Sequence, residues 1–438
     1  FKNFLFVHGS VRNDWNSLLS KANRSYLYPA VDFSFVFSDA IPGLQNNRVL
    51  SFGKIRGAYS KTAQVSIGAY SLQNTFNAGG GFPFGSIAGF SVNPTSANPD
   101  IKPEFSTDEE LGLELGFLNN RINFSAAVYK TITNNQTVPI TISSTTGFTK
   151  AYVNSGEMSN KGIELDLKVT PIQTKDLRWD VGVNYSYNKN VLLALGYGQT
   201  DVPIPNSNSH AIIGSPYPVL KMNDWLRDPQ GRIIVDANTG YPSLDPQLKV
   251  FGTTNPPTKV GINTSLSFKG FTLAAVADGR FGAVIYNGIG PDLDFTGVSA
   301  YSAQSGRQPF VIPNSSYFDP NKNIYIANTK INTQDGNNLF WANVWNTANS
   351  NYINSADFWK LRELALSYTF PKTMLGRQKI VNGLTIGVEG RNLIVIKPKD
   401  NVWSDPEFAN TTGNGTGTTN INQLPPTKWY GFNLRVTF

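Results

Sequence analysis

Side chains capable of acid-base, nucleophilic or metal chemistry are scattered along this 438-residue chain rather than gathered. The two histidines, His8 and His210, stand far apart with no second ligand at metal-binding spacing. Cysteine is absent, which removes thiolate metal sites and any disulfide framework. Asp319, Asn321 and Asn323 open like a calcium loop, but Ile324 stands where the turn glycine is needed and Lys330 where the bidentate acid belongs. Gly79-Gly80-Gly81-Phe82-Pro83-Phe84-Gly85 lacks the lysine and hydroxyl of a phosphate loop, and no helix-forming run follows it. Carboxylates are plentiful without forming an acid/base pair. The sequence therefore predicts no enzyme, no metal and no cofactor.

Recognition chemistry is better represented. Aromatic residues sit among Asn, Asp, Ser and Gly in long polar stretches: Trp225 beside Asp224 and Arg227, Phe340 and Trp341 with Trp345 and Tyr352, and Trp403 near Asp405. Flat rings stack on sugar rings or peptide side chains, and neighbouring amides and carboxylates bond hydroxyls. These six aromatics are candidate contacts for a ligand or a partner protein. The competing reading is that they pack the loops into a folded cap.

The elements carrying those loops are strands. At the C-terminus, Tyr430, Phe432, Leu434, Val436 and Phe438 alternate with Gly431, Asn433, Arg435 and Thr437, giving one apolar and one polar face. Residues 161–170 set Ile163, Leu165, Leu167 and Val169 against Glu164, Asp166, Lys168 and Thr170, and 178–188 repeat the pattern around Trp179, Val181, Val183, Tyr185 and Tyr187. About twelve such segments occur, at the length of roughly ten residues that a tilted strand needs to cross a bilayer. They lie near 3–13, 27–37, 48–59, 109–117, 121–131, 161–170, 177–188, 258–268, 271–281, 358–370, 383–392 and 428–438. No segment sustains a helical period, so helices are expected only in loops.

The connections alternate short and long. Those at 38–47, 118–120, 171–176, 269–270 and 371–382 are brief, whereas 60–108, 132–160, 189–257, 282–357 and 393–427 are long. A soluble sandwich shares the strand pattern but has no reason for this asymmetry, which outer-membrane barrels show as short periplasmic turns and long extracellular loops. Strand parity then predicts an outward-running first segment and a periplasmic C-terminus. Charged residues make up 15% of the chain, against roughly 25% in soluble domains. No run of eighteen or more apolar residues marks a helical span. Aromatics near strand ends, at Tyr28, Tyr59, Tyr129, Trp179, Tyr187, Trp359, Phe370 and Trp429, fit interfacial girdles. The net charge of +7 is dispersed, so no nucleic-acid partner is expected.

Short motifs then add a family resemblance. Arg12-Asn13-Asp14-Trp15-Asn16-Ser17, Ser25-Tyr26-Leu27-Tyr28-Pro29, Leu50-Ser51-Phe52-Gly53-Lys54-Ile55-Arg56 and Leu115-Gly116-Phe117-Leu118-Asn119-Asn120-Arg121 resemble the SusC/RagA-type TonB-dependent transporters of the Gram-negative outer membrane. Asn154-Ser155-Gly156-Glu157-Met158-Ser159-Asn160-Lys161-Gly162-Ile163-Glu164-Leu165, Asn255-Pro256-Pro257-Thr258, Phe358-Trp359-Lys360-Leu361-Arg362-Glu363-Leu364 and Glu389-Gly390-Arg391-Asn392-Leu393 continue it in the same order. The resemblance spans the chain and matches the C-terminal half of such a transporter.

That resemblance implies an all-β transmembrane antiparallel barrel of about twenty-two strands, importing oligosaccharides or peptides, coupled to TonB and covered by a SusD-like lipoprotein lid. Signal peptide, TonB box and plug domain would all precede residue 1. About twelve strands would leave open edges at 3–13 and 428–438, and unpaired backbone groups in hydrocarbon cost several kcal/mol each. The chain is therefore expected to close against more barrel, either an upstream portion or a separate chain; a passive pore or adhesin on a closed twelve-stranded barrel is the rival. Glu164, Asp166, Asp180, Glu389, Arg391 and Arg435 would line the lumen, and the polar tract at 411–422 is expected to be a mobile part of the last loop.

Overall fold

The computed structural model describes residues 1–78, 89–204, 207–375, 380–409 and 413–438. The glycine-rich run at 79–85 lies outside the described residues, as do 411 and 412 of the polar tract. All twelve expected strands form: β1 (Leu5–Trp15), β2 (Ser25–Phe35), β3 (Leu50–Gln64), β4 (Glu104–Phe117), β5 (Ile122–Thr141), β6 (Lys150–Gln173), β7 (Leu177–Ala194), β8 (Thr258–Phe268), β9 (Phe271–Phe281), β10 (Phe358–Thr369), β11 (Gly383–Ile396) and β12 (Trp429–Thr437). The chain divides into two compact units, the first made of Phe1–Asp201, Ile212–Pro216 and Val260–Lys269, the second of Val202–Ala211, Tyr217–Lys259 and Gly270–Phe438.

In the first unit β1 to β7 are hydrogen-bonded in chain order, each antiparallel to the next, and β8 lies beside β7. The register stacks one apolar row across seven strands: Val7, Phe33, Gly57, Leu111, Val128, Ile163 and Tyr187. Among the described residues no protein layer covers this row. Leu111 is 54% exposed and Val128 49%, whereas a sandwich would have buried them. The smallest member has a packing reason, because a Cβ on Gly57 would meet the Phe33 ring at 2.5 Å. On the opposite face Lys54, Glu114, Ser125, Asp166 and Asn184 are in register.

The second unit repeats the arrangement with β9, β10, β11 and β12 in chain order. Leu273, Leu366, Val388 and Phe432 form its apolar row, with Phe432 70% exposed. Among the described residues β1 has β2, and β12 has β11, as its one strand neighbour.

Local chemistry explains the turns. Between β4 and β5, Leu118, Asn119 and Asn120 all take positive φ, a conformation that asparagine tolerates better than most residues. The expected long loop at 132–160 is mostly not a loop: β5 and β6 continue as one hairpin, with Thr133 opposite Met158 and Thr141 opposite Lys150. Polar Thr, Asn and Ser residues obscured that extension because they break the alternation while still pairing. Among the described residues α-helices occur only in connections, at Phe37–Ala40, Ile289–Thr296, Ala300–Ala303 and Asn338–Asn343. Of the aromatics assigned to girdles, Tyr28, Tyr129 and Trp429 turn instead to the polar face, where Tyr28 donates to Asp14, Tyr129 shares a row with Glu110, and Trp429 sits opposite Arg391. Strand parity rather than ring chemistry sets their side.

Candidate functional site: the loop core and its ionic anchor

In the second unit the connections at 217–257 and 282–357 fold into a body with its own core. Trp225, Ile233, Val235, Ile312, Phe340, Trp341 and Ala348 are buried together, with Tyr241, Phe310 and Trp345 packed against them. The rings make edge and tilted contacts: Phe340 lies 5.3 Å from Trp341 and 5.3 Å from Phe310, and Trp225 lies 5.7 Å from Trp345. Short strands frame this core, with Ser315–Asp319 and Ile324–Ala327 forming a hairpin and Val219–Met222 pairing with Lys249–Thr253.

Polar groups at its margin are pinned. Trp225 donates from Nε1 to Asn351 Oδ1 at 2.9 Å, and its backbone N–H donates to Asp224 Oδ1 at 2.8 Å. Burial pushes the Asp224 carboxyl up, yet hydrogen bonds led by that from Arg227 outweigh it and hold the group at about 2. Burial followed by the hydrogen bond to Asp335 pushes the Tyr241 hydroxyl up to about 12. Asp294 is fully buried, accepts from Tyr352 and Ser299, and has its carboxyl raised by that burial.

These placements revise the expected contact residues. Trp225, Phe340, Trp341 and Tyr352 are buried, so their ring faces are occupied by neighbouring side chains rather than offered to a ligand. Hydrophobic burial of large rings outweighs exposure once two loops can share them. Trp345 and Trp403 remain half-buried, Trp403 stacking on Tyr301 at 5.6 Å. Replacing Phe340 by alanine is expected to cost about 3–5 kcal/mol of local stability. Protease cleavage within 217–257 and 282–357 should rise while the barrel strands stay protected; unchanged cleavage would mean the cluster is not what holds the loops.

A second cluster ties the last long loop, residues 397–428, to the polar face of the strands. Lys360 on β10 donates to Asp405 and to Glu407, both at 2.7 Å. Arg362, two residues along the same strand face, bonds Asp278 of β9 and both oxygens of Glu407, and Arg280 reaches Glu407 at 2.8 Å. Burial pushes the Glu407 carboxyl up, but bonds from Arg362 and then Lys360 hold it at about 2. Three cations thus face three carboxylates, with the Lys360 side chain 4% exposed. Sequence reading named Asp405 only as a neighbour of Trp403 and missed the rest. The signal was Lys360 and Arg362 at alternate positions, one side of a strand carrying two positive charges.

Within the described part of the tract expected to be mobile, residues 417–419 are held. Thr418–Thr419 pairs in parallel with Val284–Asn287, and Tyr286 N–H donates to Gly417 O at 2.8 Å. A neighbouring strand edge supplies partners that the Gly/Thr/Asn composition alone does not reveal.

The other predicted residues fall on the strands. Asp166 and Glu164 share the polar face of β6 with Asn184 and Ser186 of β7 opposite. Asp180 accepts from Arg178 at 2.6 Å and from Thr170 at 2.7 Å. Arg391 lies 3.5 Å from both Glu363 and Glu389, and Arg435 pairs in register with Thr385. Asp319 caps its hairpin turn by accepting from Asn321 and Lys322 N–H, and His8 meets Asp32 at 3.0 Å. Among the described residues no three His, Asp or Glu side chains gather as a metal site.

A sheet with one uncovered apolar face, one ionic face and folded bodies in its long connections defines an outer-membrane β-barrel. Residues 5–278 match the family described as TonB dependent receptor-like, beta-barrel, and the chain belongs to that family. It is 25% identical over 98% of its length to TonB-dependent receptor P26 of Formosa agariphila, covering 44% of that relative. Over 203 residues, 44% of the chain, it is 31% identical to TonB-dependent receptor SusC of Bacteroides thetaiotaomicron, covering 20% of it. A chain of the RagAB peptide transporter superposes over all of it with a TM-score of 0.76 at 23% identity, and 46% of that chain is covered. The resemblance read from the short motifs is thus borne out. The chain spans less than half the length of these relatives.

Proposed function

We propose that this chain forms part of an active importer of oligosaccharides or peptides in the Gram-negative outer membrane, TonB-dependent and working with a SusD-like surface lipoprotein. The observation that carries this reading is the pair of apolar rows left bare by protein, at Val7 to Tyr187 and Leu273 to Phe432, in a chain of the TonB-dependent receptor family. Lipid satisfies such a face, while the ionic face suits a water- or protein-filled interior. In this reading Glu164, Asp166, Asp180, Glu389, Arg391 and Arg435 line the lumen, and the long connections are extracellular, with the C-terminus periplasmic. Trp345 and Trp403, still half-buried, are the predicted aromatics left to touch cargo or lid. Further strands, supplied upstream or by another chain, pair with the outer edges of β1 and β12, because open edges are not viable in hydrocarbon.

The decisive measurement is uptake. Cells expressing the full-length protein should accumulate labelled oligosaccharide or peptide, and deleting TonB should abolish accumulation while leaving the protein in the outer membrane. Accumulation that persists without TonB would replace the active importer with a passive pore. Affinity purification should bring down a surface lipoprotein in stoichiometric amount, and its absence would remove the lid from the scheme.

A further inference from the structure

On the apolar face of the first unit, β5, β6 and β7 each present four apolar residues in succession and then a lysine. Val128 is followed on that face by Lys130, Ile163 by Lys161, and Tyr187 by Lys189. Lys130 pairs with Lys161 and Lys161 with Lys189, so the three form one row across adjacent strands. All three are exposed. The row lies toward the long β5–β6 hairpin extension and away from the short turn at 118–120.

Such a row is unfavourable by itself, because like charges directly opposite one another on a sheet repel. The chain supplies one counter-charge: Glu109, opposite Lys130 in the same row, comes within 3.8 Å of it. Among the described residues Lys161 and Lys189 form no ion pair. Three lysines against one glutamate leave two positive charges uncompensated. Their height decides what meets them. From Ile122 to Lys130, β5 climbs roughly 20 Å, at about 3.3 Å per residue and a tilt of about 40°. That puts the row near the top of an apolar band about 25 Å tall, where lipid headgroups begin. Tyr59, in the row with Glu109, and Tyr187, one step below Lys189, are the aromatics expected at that boundary. The feature is local, since at the corresponding end of the second unit's face Trp359 stands opposite Ile396 and Leu361 opposite Ile394.

We propose that Lys130, Lys161 and Lys189 hold the phosphates of a lipid headgroup in the leaflet on the long-connection side, with a headgroup carrying two phosphates preferred. Two inter-strand spacings, about 10 Å, separate the outer lysines, so two phosphates spread over that length meet the two uncompensated charges. Lysine serves such a group as a point charge and needs no fixed fork geometry. The apolar rows below the lysines receive the acyl chains of the same molecule, a contact that a free phosphate cannot make. The proposal takes from the importer reading only the assignment of this leaflet as the outward one.

The test is native mass spectrometry of the full-length protein in detergent, titrated with diphosphoryl lipid A, monophosphoryl lipid A and net-neutral phosphatidylcholine, with inorganic phosphate as competitor. Retention should fall in that order of lipids and weaken as salt rises. Lys161→Gln and Lys189→Gln should each weaken retention of the diphosphoryl lipid about fivefold, the worth of one basic residue at an anionic surface, whereas Lys161→Arg should keep it. Glu109→Gln should tighten it, a change of sign that a merely structural role would not produce. Heat-modifiable migration checks that each variant is folded. Equal retention of the three lipids, glutamine variants that bind as wild type does, or displacement by millimolar inorganic phosphate would each overturn the proposal. TonB-dependent uptake separates the two readings: uptake without phosphate-selective lipid retention keeps the importer and removes the lysine site, whereas selective retention without uptake does the reverse.

Discussion

Replacing Lys360 by alanine should release the last long loop from the barrel wall at a cost of about 3–5 kcal/mol, the penalty for leaving a buried partner charge uncompensated. Asp405 is the partner at risk, because its side chain is 5% exposed and accepts from Lys360 at 2.7 Å. Protease cleavage within 397–428 and hydrogen exchange of that stretch report the release. Changing both members, as Lys360→Met with Asp405→Leu, should recover much of the loss, since two apolar groups of similar volume carry no desolvation penalty. A single-variant effect below about 0.5 kcal/mol, the range of ordinary surface substitutions, would show the cluster to be ornamental.

The same anchor has a pH signature of definite sign. Glu407 titrates at about 2 in the folded chain, below its ordinary value of 4.5. A depressed carboxylate contributes stability that is fully present above its unfolded value and is lost as pH falls through its folded one. The loop should therefore stay anchored through neutral and mildly acidic conditions and loosen between about pH 4 and pH 2. Glu407→Gln should flatten that acid response and weaken anchoring at neutral pH.

The barrel strands were legible because period-two alternation is a local property, readable without knowing any partner. All twelve formed, and the C-terminal segment matched to within a residue at each end. What stayed hidden depends on contacts between distant segments. The β5–β6 extension past Thr131 reads as polar loop until Met158 is placed opposite Thr133. Trp225 and Trp345 are 120 residues apart in sequence, and nothing in either neighbourhood says that their rings meet at 5.7 Å or that Trp225 leaves the surface. The anchor lies between these cases. Lys360 and Arg362 announce a basic strand face, but their carboxylate partners come from β9 and from a loop more than forty residues downstream.

Adjacent residues in the middle of β10 provide the sharpest discrimination of lipid from protein. Leu364 lies on the apolar face, in register with Ala275 and Gly390, and is 38% exposed. Ala365 points the other way, in a row with Ala274, Glu389 and Gly431. An arginine at Leu364 puts a cation into hydrocarbon and should cost about 2–4 kcal/mol at mid-membrane depth. The same residue at Ala365 enters a polar wall with Glu389 opposite, and should cost less than about 1 kcal/mol. Urea titration of the barrel in lipid vesicles, read by heat-modifiable migration, measures both. In a sandwich the order would still favour Ala365, but wild-type protein would stay monodisperse in water without detergent and Leu364→Arg would unfold it there. The membrane assignment instead requires that wild-type protein aggregate when detergent is removed, and that the penalty at Leu364 shrink when the same cation is moved outward along the apolar face toward the interface. Equal penalties at the two positions, at every depth tested, would mean that the faces do not differ in what they meet.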